Sequence, residues 1–237
     1  YKAELAEPLP IAPPRVRALA VDEIAAQLGV VALIDGNYKD SEELFKAALA
    51  ANPRNGPALA GMGDVHKQAE RFEQAEQNYE RAVAAEPMNP NHELDWGEYF
   101  LQRAVREADA DRRRALLADA RRHFARSYAI DPKNPETLDQ NGETYLFDGE
   151  DGAKAVQSLE AAYDLLPSYQ RIQLDLARAY VKTGERAAAR ALLARVVTWS
   201  HGEPSAELKE LLASAGVDAA LPKDDDAEAS GAKAAER

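Results

Sequence analysis

Carboxylates and imidazoles are the side chains of this sequence best suited to acid–base or metal chemistry. Asp95, Glu98, Asp139 and Glu143 are the candidates for paired carboxylates. Each falls in a segment of helical periodicity with no histidine near it in register. Nothing in the pattern around them is expected to bury them deeply enough to shift a pKa. His66, His92, His123 and His201 lie at unrelated phases, and His66 reads as a packing residue. The stretch Gly149–Gly152 reads as a turn between helices, not as a phosphate-cradling loop. A Ser/His/Asp arrangement is missing, and the absence of cysteine removes thiol catalysis, disulfides and thiolate metal sites together. The chain therefore reads as a non-enzyme without a metal or cofactor.

Arginine forms a second cluster. Between Arg103 and Arg126 there are eight arginines against Glu107, Asp109, Asp111 and Asp119, a local excess of four positive charges in a chain of net charge -12. Such a patch can dock an acidic partner or the chain's own acidic tail. As a solvated helical face it would instead hold scattered pairs such as Asp109–Arg113, each worth a few tenths of a kcal/mol. The acidic balance of the whole chain repels phosphates, so neither nucleic acid nor an anionic membrane is expected as a partner. No apolar run reaches the roughly 18 residues of a membrane span.

The elements that must position these groups repeat along the chain. Four segments end at Pro53, Pro87, Pro132 and Pro167. Eight positions before each Pro stands a large residue: Phe45, Tyr79, Phe124 and Leu159. Small residues precede it by four (Ser41, Ala75, Ala120, Ala155) and follow it by three (Ala48, Ala82, Ser127, Ala162). Upstream of these come Gly29, Gly63, Gly97 and Gly142, each inside an apolar helical pattern. A decayed fifth copy runs Leu176, Ala177, Tyr180, Gly184, Ala189, Leu193, Val196, with His201 in the place of Pro. Small Gly and Ala let two helices cross closely, the large residue fills the gap between successive pairs, and Pro ends the second helix. Only 7% of the chain is aromatic against 46% hydrophobic, which suits a core of Ala, Leu and Val between closely packed helices.

With this spacing and these residues the sequence resembles the tetratricopeptide repeat family over roughly residues 20–201. The resemblance implies an all-α fold: a right-handed superhelical α-solenoid of about five helix pairs with a C-terminal capping helix. A Pro-rich linker is expected over 1–14, the solenoid over 15–216 and a disordered acidic tail over 217–237. The cap is expected over 204–215, with Leu208, Leu211 and Leu212 on one stripe. Trp96 should be core, and Trp199 a cap contact or an exposed anchor. The third repeat, about 90–132, is irregular: Gly97 to Ala120 is eleven positions longer than Gly63 to Ala75. Eleven residues are close to three helical turns, so a longer hairpin is expected, with Arg112–Arg114 at or just after its turn.

The resemblance also implies a concave groove lined by the first helices, and hence a non-catalytic protein-interaction module. The matching positions are Asp64 and Lys67; Asp95, Glu98 and Gln102; Asp139, Gln140 and Glu143; Arg178 and Lys182. Val30, Leu33 and Ile34 make the N-terminal end of this groove apolar. The Lys/Asn/Arg clamp with which some relatives hold a carboxylate is missing, because its positions carry Ala26, Val30, Ala60 and Gly61. A basic or mixed-charge peptide is therefore the expected groove ligand. The hairpin patch of Arg103, Arg106, Arg112, Arg113 and Arg114 is the second candidate surface. A partner protein or peptide is expected, with a self-assembling homo-oligomer as the alternative. The Ala- and Arg-rich composition points to a bacterial source, and a Pro-rich leader would suit a tether in the cell envelope; a cytoplasmic setting is equally compatible with a Cys-free chain.

Overall fold

A computed structural model describes residues 14–149, 151–199 and 205–216. Among them are eleven helices and no strand. They are α1 (Pro14–Ile34), α2 (Tyr38–Ala51), α3 (Gly56–Gln68), α4 (Phe72–Ala85), α5 (Pro90–Arg106), α6 (Ala110–Ile130), α7 (Pro135–Asp148), α8 (Gly152–Leu165), α9 (Gln170–Thr183), α10 (Arg186–Trp199) and α11 (Ala206–Ser214). They form two compact units, Tyr1–Lys133 and Asn134–Arg237. The first stacks the antiparallel pairs α1/α2, α3/α4 and α5/α6; the second stacks α7/α8 and α9/α10 and ends in α11. The expected linker and acidic tail lie outside the described residues except for Pro14, which opens α1, and so do the side chains of Trp199 and His201.

Local chemistry sets the boundaries. Asn55, Asn89 and Asn134 cap α3, α5 and α7 through their side-chain oxygens, each with a Pro in the first turn, where its missing N–H costs nothing. Asn55 also donates to Asp22 Oδ2 at 3.1 Å, tying the start of α3 to α1. At the other ends, Gly149 and Gly184 stop α7 and α9 with φ of 70° and 86°, the left-handed conformation that glycine adopts without strain.

The repeat glycines meet a different neighbour from the one expected. A Cβ on Gly63 would stand 2.7 Å from the Tyr79 ring, and one on Gly29 would stand 2.6 Å from Phe45. Gly97 faces Phe124 and Gly142 faces Leu159 in the same way. The close approach is thus between glycine and the large residue of its own pair, rather than between glycine and the small residue alone. Phe45 is fully buried and also presses on Gly61 of the next pair, so one ring locks both the pair and the stack. The small position retains a role at the crossing, where Ser41 Oγ donates to the Gly29 carbonyl at 2.8 Å.

The third pair carries the extension. Helices α5 and α6 have 17 and 21 residues against 13 and 14 in α3 and α4, eleven more in total. Leu101, Ala104 and Leu117 are buried along the added length, so the lengthened helices keep their apolar stripes in phase. Arg112–Arg114 lie in the first turn of α6, just after the hairpin turn. In the second unit Leu208, Leu211 and Leu212 of α11 are buried in the cluster containing Leu176 and Leu193, as a capping helix requires.

Candidate functional site

In the first unit, groove and hairpin positions converge. Lys67 from α3 and Gln102, Arg103 and Arg106 from α5 line a pocket of about 190 Å³ with Phe72, Glu107 and Leu116. Most of its polar groups are already held. Lys67 pairs with Asp64 at 2.7 Å, and Asp64 also accepts from the Tyr79 hydroxyl at 2.8 Å. Burial, with Asp64 beside it, pushes the Tyr79 phenol well above its ordinary pKa. Gln102 donates to Glu98 Oε1 at 2.7 Å, and Asp95 stands half-buried on the same helix. Arg103 does not join a free patch: its guanidinium lies over the Phe72 ring at 4.5 Å and donates to Glu76 and to the Tyr99 oxygen, each at 3.0 Å.

Among the remaining hairpin arginines, Arg113 donates to the Glu107 carbonyl and Arg114 pairs with Asp111 at 3.1 Å. Asp109 does not bridge to Arg113; its carboxylate caps α6 by accepting from the Arg112 amide at 2.8 Å. Helix capping is the stronger use of that carboxylate, because it satisfies an amide that has no partner within the helix. Arg106 and the Arg112 guanidinium are exposed and have no ion-pair partner among the described residues.

The second unit corrects the expectation that the groove carboxylates escape burial. Asp139 is 2% exposed and Asp175 3%, and Gln140 is buried beside them. Arg171 joins the group: its Nε lies 3.2 Å from Asp139 and 3.8 Å from Asp175, while its Nη2 reaches Glu143 at 3.2 Å. Arg178 pairs with the other oxygen of Asp175, and Lys182 donates to the Leu146 carbonyl. Burial, reinforced by the neighbouring Asp175 and only partly offset by Arg171, raises Asp139 to about 7. Burial raises Asp175 to about 6 against the pull of Arg178. The Oδ1 of Asp139 is buried with no hydrogen-bond partner, which is consistent with a carboxyl that favours its neutral form. Sequence reasoning passed over Asp175 and Arg171, because their role depends on helix-to-helix placement and not on spacing along the chain.

It also passed over a buried pair in the first unit. His123 Nδ1 and Glu93 Oε2 are 2.7 Å apart, both groups almost fully buried, and Trp96 packs on His123 at a centroid distance of 4.2 Å. The two residues are 30 positions apart, so no local pattern announces them. Trp96 is partly buried, as a core contact of this pair. Among the described residues no group of three or more His, Cys, Asp or Glu is arranged to hold a metal ion, and no helix is long and apolar enough to cross a membrane.

A tetratricopeptide repeat profile matches residues 32–93 and 146–215, more than half of the chain. The chain belongs to the tetratricopeptide repeat family. Among solved structures it is similar to a thermophilic tetratricopeptide repeat protein of Thermus thermophilus, at 24% identity and a TM-score of 0.65 over 82% of this chain and 98% of that one. It is also similar to PilF of Pseudomonas aeruginosa, at 17% identity and a TM-score of 0.68 over 85% of this chain and 87% of that one. In sequence, 95 residues are 34% identical to cellulose synthase operon protein C of Komagataeibacter xylinus. That match spans 40% of this chain but only 7% of the relative's length. The tetratricopeptide repeat fold is in general that of a non-catalytic protein-interaction module, and the helix-pair solenoid described above is its architecture.

Proposed function

We propose that this tetratricopeptide repeat chain is a non-catalytic adaptor that binds an acidic or mixed-charge segment of a partner protein, in the assembly of a bacterial complex. The observation that carries the reading is the pocket where Lys67 and Gln102 of the groove meet Arg103 and Arg106 of the lengthened hairpin. The groove carboxylates are an inferior ligand site, because Asp64, Asp139 and Glu143 already hold Lys67 or Arg171. Of the five hairpin arginines, Arg106 and Arg112 have no internal partner to give up among the described residues, and a guanidinium meets a carboxylate well in a partly desolvated setting. Phe72 and Leu116 add an apolar floor, so the matching segment carries a carboxylate next to an apolar side chain. The sequence match to a Komagataeibacter xylinus protein supports the bacterial setting.

The test is affinity capture from the source organism with the intact chain and an Arg106→Glu/Arg112→Glu variant, whose exposed sites leave the fold unchanged. Loss of the captured partner is expected with the variant; full retention sinks the reading. Self-assembly is a second reading, drawn from the apolar exposure of α1. It requires concentration-dependent association in light scattering, and a strict monomer at high concentration excludes it.

A further inference from the structure

The register of the repeat shows what is unusual about α1. Val21, Ile24, Leu28 and Val31 form a stripe down this helix and are 59%, 57%, 51% and 55% exposed. With Gly29 and Gly63 aligned, the last three correspond to Ala58, Met62 and Val65 of α3, which are 0%, 7% and 3% exposed. In α9 the same positions are Ile172, Leu176 and Ala179, at 1%, 2% and 0%. In α5 they are His92 and Tyr99, at 2% and 0%, with the larger Trp96 between them partly buried. These positions are buried because the second helix of the preceding pair covers them. Phe45 and Ala48 of α2 pack on the α3 stripe, Tyr79 of α4 on Tyr99, and Leu159 of α8 in the cluster that holds Leu176. Helix α1 packs mainly on α2 and α3, on its other side, and no described helix occupies the equivalent place. Its stripe matches one side of a repeat-to-repeat interface, with no counterpart among the described residues, and a helix apolar on more than one face is built to be covered on more than one face.

We infer that the exposed stripe of α1 is a docking site for an amphipathic helix of the second-helix type. Such a helix carries a large apolar residue with a small residue four positions before it and another three after, as Ser41, Phe45 and Ala48 do in α2. The occupant is identified by continuity: the chain forms this same joint within its own units at α2/α3, α4/α5 and α8/α9. The occupant's large residue lies over the exposed Gln27, the position that corresponds to the Gly61 met by Phe45 in the α2/α3 joint, and its two small residues let the backbones approach at Ile24 and Val31. This surface is separate from the pocket beneath the hairpin, so a two-sided adaptor can engage two partners at once.

The probe is the chain's own joint-forming segment: a labelled peptide of residues 38–52, helix-stabilised by a crosslink between the exposed positions 43 and 47, titrated into the intact protein by fluorescence anisotropy. Saturable binding is expected, weakened about tenfold or more by Ile24→Glu/Leu28→Glu. A control peptide with Phe45→Ser and Ala48→Glu should not bind. The double variant changes only exposed positions, and circular dichroism checks that it stays folded. Because the α1/α2 contact uses Ala25 and Ala26 and not the stripe, displacement of the native α2 by the peptide would be insensitive to the variant and would overturn the inference. Absence of binding overturns it as well. So does a concentration-dependent dimer abolished by the same variant, which would assign the face to a second copy. Binding seen only after deletion of residues 1–13 would assign it to the chain's own N-terminal segment and likewise overturn it.

Discussion

Replacing Asp139 by Asn perturbs the buried acidic cluster of the second unit without changing its shape. Asp139 ordinarily titrates at 3.8 and in the fold at about 7, with burial as the main cause. One pH unit corresponds to about 1.4 kcal/mol, so the rise represents roughly 4 kcal/mol between the two protonation states. The sign follows from linkage. Between about pH 4 and pH 7 the folded chain holds a proton on Asp139 that the unfolded chain has released. Stability from this group is therefore intact below pH 4 and falls as pH rises to about 7, beyond which the full penalty of a buried carboxylate is present. The amide of the Asp139→Asn variant carries no charge at any pH, and Arg171 keeps Glu143 and Asp175 as partners. Asp175 titrates in the same direction, to about 6, and shares the cost, so the variant recovers about 2 to 4 kcal/mol at pH 8 and almost nothing at pH 4. Urea denaturation at pH 4, 6 and 8 measures it, read as variant minus parent so that all other carboxylates cancel. A difference flat with pH, or an Asn variant less stable at pH 8, refutes the reasoning.

Two further outcomes follow from the packing. Gly63→Ala drives a methyl into the Tyr79 ring at 2.7 Å and should lower stability by about 1–3 kcal/mol despite the better helix propensity of alanine, as read by thermal denaturation; a stabilised variant would contradict the close-approach account. Glu93→Ala removes the buried partner of His123 and should destabilise the first unit by about 1–3 kcal/mol, detectable as faster amide exchange in α5 and α6, whereas an exchange pattern unchanged from the parent would mean the pair contributes nothing.

Much of the fold was legible because the repeat is written in side-chain volume. Gly63, Ala75, Tyr79 and Pro87 state which backbones approach and where a helix must end, and four copies in register leave little freedom. The eleven added residues of the third pair were legible for the same reason: only a near-integral number of turns keeps Leu101, Ala104 and Leu117 facing inward. The surfaces were less legible. Groove positions carried over from the family presume an exposed side chain, yet α9 brings Arg171 and Asp175 against Asp139 and buries it, a consequence of interhelical placement that spacing within α7 does not encode. Counting arginines gave a patch of charge, but Phe72, Tyr99 and Glu76 take Arg103 out of it and a carbonyl holds Arg113. The exposed stripe of α1 was not visible: the apolar N-terminal end expected of the groove is Val30, Leu33 and Ile34, and the stripe is Val21, Ile24, Leu28 and Val31. Its meaning emerged only when the same positions in α3 and α9 proved buried.

Amide hydrogen exchange on the intact chain, alone and saturated with its captured partner, is the most direct test of the claim that this solenoid is an adaptor working through its lengthened hairpin. The account predicts slowed exchange in α5, the start of α6 and the end of α3, around Lys67, Arg103 and Arg106, with the α7–α9 cluster unaffected. Protection centred on Asp139 and Glu143, with none at the hairpin, would contradict it.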